Sequence, residues 1–124
     1  MVQIVFTRAD GLLTGVRSEG HAGGDAPSRL ARFLFPKKDK ATHGNILCAA
    51  VSALLYQLKV NLTMVEGWVP VRENEGSGFF ELTLSLPDAA KASSYFKGLM
   101  IMLKRFELQY KNQIRIIMED IHVT

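Results

Sequence analysis

The chain has 124 residues, of which 48% are hydrophobic and 22% are charged. This length is enough to bury one core, and the composition excludes a chain that is disordered throughout. We expect no membrane span, which needs roughly 18 consecutive apolar residues, and no secretory signal at the first residues. The single cysteine excludes an intrachain disulfide, so we expect a cytoplasmic protein. From the length of the chain we expect one domain over residues 1–124.

The excess of positive charge lies in one segment of the chain. There are 15 Lys and Arg residues against 12 Asp and Glu residues, which gives a net charge of +3. Residues 23–43 hold five basic and two acidic residues and account for the whole excess. Nucleic-acid-binding proteins more often spread basic residues over a face or along a helix. We therefore expect no direct binding to nucleic acid, and we interpret residues 23–43 as a solvated basic loop insertion.

Two strands are predicted at the beginning of the chain. Apolar and polar residues alternate over residues 2–7, which is typical of a half-buried strand. The pair Asp10-Gly11 is a strong turn signal, and the alternation resumes at Leu12. Residues 2–19 are therefore predicted to form a hairpin. Residues 20–44 have poor periodicity and predict a long loop, with one helical turn near residues 27–34.

The middle of the chain predicts a helix over residues 46–59. Its apolar residues recur at the spacing of one helical face: Leu47, Ala50, Val51, Leu54 and Leu58. Asn45 precedes this stretch and is of a residue type that favours the N-cap position. The helix is therefore predicted to begin directly after Asn45.

The second half of the chain alternates between strand and helix patterns. We predict a strand at 62–69, a turn at 73–78, a strand at 80–86, a helix at about 88–109 and a closing strand at 114–118. The resulting order is ββαββαβ. This order predicts an α+β fold, a two-layer sandwich of a mostly antiparallel sheet with two helices on one face.

The only cysteine lies close to the predicted start of the central helix. With Asn45 as the cap, Cys48 would be the third helical residue, near backbone N–H groups that favour a thiolate. Cysteine has a pKa of about 8.5, and helix N-termini commonly lower it. Cys48 lies beside the apolar stripe, so we expect partial exposure. The alternative is a buried core residue, because lone cysteines are often buried.

A thiolate nucleophile usually has a histidine as its base. His122 is next to the C-terminus and is discounted. His21 follows the predicted hairpin, and His43 lies in the predicted loop before the helix. Spacing alone does not separate His21 from His43, and either can equally be a solvated loop residue.

Two motifs resemble the ribosomal-processing cysteine protease family, Prp. They are Gly20-His21-Ala22 and the run Gly44-Asn45-Ile46-Leu47-Cys48-Ala49-Ala50-Val51-Ser52-Ala53-Leu54. The family pattern is Gly-His-Ala after a hairpin, then Gly-x-Asp-Ile-Val-Cys-Ala-Ala-Val-Ser at a helix start. The similarity covers nearly the whole chain, since the order of strands and helices also matches.

The resemblance implies a small cytoplasmic protease that forms homodimers and uses neither metal nor cofactor. Its implied partner is a large-subunit ribosomal protein precursor, from which it removes an N-terminal extension. Cys48 is the implied nucleophile and His21 the implied general base and acid. Ser52 matches a family position and is implied to support them, and Asn45 stands where the family has an aspartate.

The basic insertion distinguishes this chain from the family pattern. His21 and Cys48 are 27 residues apart, which is longer than the family norm. An aromatic pair and a lysine pair within the insertion are loosely similar to the segment that the family cleaves, and are candidates for a loop in the substrate groove: Phe33, Phe35, Lys37 and Lys38. The alternatives are a plain surface loop or a non-catalytic ribosome-associated module that binds through this insertion.

Overall fold

The computed structural model describes residues 1–20 and 39–121, with side chains of the second range from Ile46 onward. The helical turn predicted near residues 27–34 lies outside these residues. The described elements are β1 (Val2–Ala9), β2 (Leu12–Glu19), α1 (Asp39–Val60), a π-helical turn (Asn61–Val65), β3 (Arg72–Gly76), β4 (Phe79–Thr83), α2 (Leu86–Lys91), α3 (Ser93–Gln109) and β5 (Ile114–Asp120).

The five strands form one sheet in the order β3-β4-β2-β1-β5. Three neighbouring pairs are antiparallel, and β1 and β5 are parallel. Buried residues of α1, α2 and α3 join those of the sheet in a single core cluster. The predicted α+β class, with a mostly antiparallel sheet, is therefore confirmed. The interpretation of residues 1–124 as one domain stays a prediction.

The predicted first hairpin is confirmed, and its turn shows why the signal is strong. Asp10 and Gly11 both have positive φ angles, 52° and 79°. Two-residue turns of this kind match the twist of the flanking strands, and Asp-Gly tolerates the left-handed conformation. On one face of the hairpin, Ile4 and Phe6 are fully buried beneath the helices.

Helix α1 begins at Asp39, so two predictions about its start are wrong. The loop predicted up to residue 44 is helical over its last six residues, and Asn45 lies inside the helix rather than at its cap. A glycine within a helix costs only about 1 kcal/mol relative to alanine, so Gly44 does not prevent the helix from beginning before it, at Asp39. The rest of the predicted insertion, residues 23–38, lies outside the described residues.

The stretch Ile46–Val65 is long and apolar enough, by length and composition, to cross a membrane. The expectation that the chain has no membrane span stays a prediction. One side of the stretch is nevertheless packed in the core, where Leu47, Leu55 and Leu62 are at most 3% exposed. Such one-sided burial is typical of a helix that lies on a sheet.

Two further predictions between α1 and β4 are wrong. Residues 62–65 of the predicted strand at 62–69 belong instead to the π-helical turn. Leu62 is fully buried there and continues the buried face of α1. Strand β3 occupies part of the predicted turn at 73–78, and all five of its residues are exposed. A strand without a buried face has no alternation to detect.

The helix predicted at about 88–109 is divided into α2 and α3. The two helices meet at Ala92, whose backbone has φ −93° and ψ 7°. Ser85 caps α2, since its hydroxyl accepts a hydrogen bond from the N–H of Asp88. Phe96, Leu99 and Leu103 of α3 then face the core.

Gly15→Ala and Gly98→Ala are expected to change stability in opposite directions. A Cβ at Gly15 would lie 2.8 Å from the carbonyl oxygen of Leu82, whereas a Cβ at Gly98 meets nothing within 4 Å. We expect Gly15→Ala to lower the free energy of unfolding by about 1–3 kcal/mol through steric strain. Gly98→Ala lies in α3 and should raise it by about 0.5–1 kcal/mol. Urea unfolding of both variants measures the difference, and a stabilised Gly15→Ala would contradict the predicted strain.

Candidate active site

A cleft of about 230 Å³ lies between α1 and the hairpin formed by β3 and β4. Its wall on α1 consists of residues on one helical surface: Cys48, Val51, Ser52, Leu55 and Tyr56. The opposite wall comes from the hairpin and includes Glu75, Gly76, Gly78, Phe79 and Phe80. The cleft therefore places a thiol among mainly apolar side chains at the boundary between core and solvent.

Cys48 is held in the wall of this cleft by the packing of its own helix. Leu47 and Val51, on either side of it in the chain, are 1% and 3% exposed. The Cys48 side chain itself is half-buried and packs against the core. This agrees with the expected partial exposure. The packing of these neighbours therefore determines where the thiol lies relative to the core.

The helix-terminus explanation for a reactive Cys48 is wrong. Cys48 lies nine residues after Asp39, the first residue of α1. The effect of the helix dipole falls off within the first turn, and amides beyond that turn bond to carbonyls four residues earlier. Neither a stabilised thiolate nor an oxyanion site at Cys48 can therefore be attributed to the start of the helix.

An ion-pair cluster connects α1 to the hairpin near this cleft. The Lys59 ammonium lies 3.4 Å from a carboxylate oxygen of Glu73 and also donates a hydrogen bond to Glu75. The hydrogen bond to Glu75 raises the pKa of Lys59. The same ammonium lies 5.8 Å from the centroid of the Tyr56 ring. The lysine thus bridges the two walls of the cleft.

Of the residues singled out from the sequence, the structure brings Cys48 and Ser52 together. Both line the cleft, and Ser52 is exposed one helical turn beyond Cys48. Outside the described residues lie six of the others: His21, Phe33, Phe35, Lys37, Lys38 and His122. The side chains of His43 and Asn45 also lie outside them.

The residue immediately before His21 is part of the cleft. Gly20 lines it, has a φ of +92° and donates its N–H to the carbonyl of Gly78 at 2.9 Å. A Cβ at this position would lie 2.4 Å from the carbonyl oxygen of Met1, so only glycine fits without a shift. The end of β2 is therefore fixed beside the hairpin that forms the opposite wall.

Sequence reasoning missed several cleft residues, notably Tyr56, Glu75 and Phe79. Tyr56 follows Cys48 and Ser52 at intervals of four, so helical spacing could have found it. Glu75 and Phe79 come from the hairpin, and only the tertiary fold brings them to α1. Within the described chain, no group of three or more His, Cys, Asp and Glu residues could hold a metal ion.

A family model described as cysteine protease Prp matches residues 1–115 of this chain. This match, together with the thiol-containing cleft, defines the protein as a cysteine protease. The chain belongs to the Prp family. The resemblance noted in the two sequence motifs is thereby confirmed. A comparison with curated proteins found no match.

Solved structures with the same fold include two of a ribosomal processing protease. Staphylococcus aureus Prp in complex with a substrate peptide is 20% identical, covers 96% of this chain and 100% of its own, and has a TM-score of 0.72. The complex of that protease with a covalently linked product peptide has a TM-score of 0.69 at the same identity and coverage. SMU.848 from Streptococcus mutans is 21% identical, covers 98% and 99% of the two chains, and has a TM-score of 0.70. These identities establish a shared fold.

Ser52→Phe is expected to slow alkylation of Cys48 by iodoacetamide several-fold. The new ring would stand one turn from the thiol within the cleft and obstruct the approach of the reagent. Ala53→Phe is the matched control, because Ala53 is an exposed neighbour outside the cleft lining. Mass spectrometry gives both rates against the unmodified protein. Equal rates in the two variants would mean that the reagent does not reach Cys48 through the cleft.

Proposed function

We propose that this protein is an endopeptidase that removes the N-terminal extension of a large-subunit ribosomal protein, with Cys48 as the nucleophile. The observation that carries the proposal is the half-buried thiol of Cys48 in the wall of an open, mainly apolar cleft. The family match supports the class of reaction. The S. aureus structures, a ribosomal processing protease with substrate and product peptides, support the class of substrate.

The proposed reaction is acyl transfer through a thioester. The Cys48 sulfur attacks the scissile carbonyl carbon after its proton passes to His21, and His21 then protonates the leaving amine. Water next attacks the thioester while His21 accepts a proton from it, which releases the carboxylate and restores the thiol. The position of Gly20 supports His21 as the base, because consecutive Cα atoms are only about 3.8 Å apart and Gly20 lines the cleft.

The walls of the cleft support a hydrophobic substrate segment. Val51 and Leu55 form a buried apolar surface on α1, and Phe80 faces them from the hairpin. Peptide sites commonly combine such apolar contacts with a few polar groups that fix orientation. The proposal assigns Ser52 a supporting role as the polar group one turn from Cys48.

The proposal includes a cytoplasmic location and a homodimeric state, without metal or cofactor. These points rest on the family resemblance and on the single cysteine. The proposal assigns no catalytic role to the basic insertion at residues 23–43. A non-catalytic module that binds through this segment is the competing outcome of the experiments that follow.

Cys48→Ser is expected to abolish cleavage and to leave folding almost unchanged. Replacing sulfur by oxygen is a small change of volume, but a serine hydroxyl is a far weaker nucleophile without further activation. Incubation with the ribosomal protein precursor of the same organism, followed by mass analysis of the products, measures cleavage. Loss of the extension in the presence of Cys48→Ser would exclude a Cys48 nucleophile. An intact precursor with the unmodified protein would favour the binding module.

His21→Ala should remove most turnover and slow alkylation of Cys48 near pH 6.5, whereas His43→Ala should have a much smaller effect. The reason is that a thiol needs its base to form the thiolate below its ordinary pKa. His43→Ala serves as the matched control, because His43 is the other histidine that precedes Cys48 in the chain. A larger loss in His43→Ala would transfer the role of base to His43.

A further inference from the structure

We infer that Glu75 is a specificity-determining residue, which pairs with a basic side chain of the peptide substrate. This inference rests on the proposed protease function and assigns a chemical preference to its cleft. Glu75 lines the same cleft as Cys48, on the hairpin wall that faces the thiol-bearing helix. It is the one carboxylate among the residues that line this cleft in the described chain.

The alternation of β3 directs Glu75 toward the helix layer. Glu73 and Glu75 both contact Lys59 of α1. The residue between them, Asn74, donates a hydrogen bond of 3.2 Å to Glu81. Because successive strand residues point to opposite faces, the two glutamates share the face that carries α1. The carboxylate of Glu75 therefore belongs to the cleft wall and not to the outer face of the sheet.

The charges around Glu75 do not balance within this group. One ammonium, Lys59, serves two carboxylates, Glu73 and Glu75, which leaves one negative charge in excess. An ionised carboxylate has about four acceptor sites, and the Glu75 side chain is 35% exposed. A further cationic donor can therefore bind Glu75 while Lys59 stays in contact with Glu73.

The surroundings of Glu75 leave room for an extended peptide. Strand β3 is at the edge of the sheet in the described part of the chain. The next residue, Gly76, also lines the cleft, and a Cβ placed there would meet nothing within 4 Å. A substrate that passes between α1 and the hairpin would run alongside Glu75.

The test is a set of substrate peptides that carry Lys, Gln or Glu at each position around the cleaved bond. At one position we expect unmodified protein to cleave the Lys peptide roughly three- to fivefold more efficiently than the Gln peptide, the range of a partly exposed ion pair. The difference should lie in KM. Glu75→Gln should abolish the preference, and Glu75→Lys should reverse it in favour of the Glu peptide.

Glu81→Gln is the matched control, since Glu81 is on the neighbouring strand and pairs with Arg72 and Asn74 on the opposite face. It should keep the preference for Lys. The inference is overturned when the unmodified protein shows no preference at any position, or when the Glu75 variants retain the preference unchanged. Should Glu75→Lys fail to fold, Glu75→Gln decides.

If the protease proposal fails, the unmodified protein cleaves none of the peptides, whereas failure of the Glu75 inference alone leaves cleavage without a preference for Lys. Binding of the same fluorescently labelled peptides to Cys48→Ala, followed by anisotropy, then tests Glu75 independently of turnover. A three- to fivefold weaker Kd for the Lys peptide in Cys48→Ala with Glu75→Gln supports the inference, and an equal Kd overturns it.

Discussion

The structure depends on the packing of one face of α1 across the sheet. This face is continuous from Leu47 to Leu62, and its buried residues belong to the same cluster as Ile4 and Phe6. Successive helical residues are rotated by about 100°, so burying Leu47 and Val51 determines where Cys48 points. The candidate nucleophile is thus positioned by hydrophobic packing.

The cleft exists because the sheet extends beyond the helix that covers it. Strands β3 and β4 continue the sheet past β2, and each residue of β3 is exposed rather than buried. The space between this hairpin and α1 is bridged by Lys59. An ion pair of this exposure contributes about 0–1 kcal/mol, much less than the burial of the leucines of α1. The core therefore sets the distance between the walls, and the ion pairs set the charge presented there.

The position of Cys48 well inside α1 changes the chemical argument for its reactivity. A thiol in the first helical turn would gain from unpaired amides, but the amides around Cys48 belong to the continuous helix. The proposed mechanism therefore assigns the activation of Cys48 to a base, His21, which follows the cleft residue Gly20 in the chain.

Local sequence signals predicted much of the fold. The Asp10-Gly11 turn, most of the apolar stripe of α1 and the strand β4 depend on residues close in the chain and were predicted. The prediction left Leu55 out of the stripe and continued the strand past Thr83 to residue 86. The motif around Cys48 likewise led to the right family. The errors lie in the boundaries of the helices: α1 begins before Gly44, at Asp39, and Ala92 separates two helices.

The sequence by itself determined the class of fold, the family and the candidate nucleophile, because these follow from periodicity and from a contiguous motif. Only the tertiary structure showed that Cys48 faces a hairpin carrying Phe79 and Glu75. Those residues are separated from Cys48 by about half of α1, the π-helical turn and a connecting segment. An exposed strand such as β3 has no hydrophobic periodicity of its own. Its position comes from pairing with β4, whose buried face is held by the core.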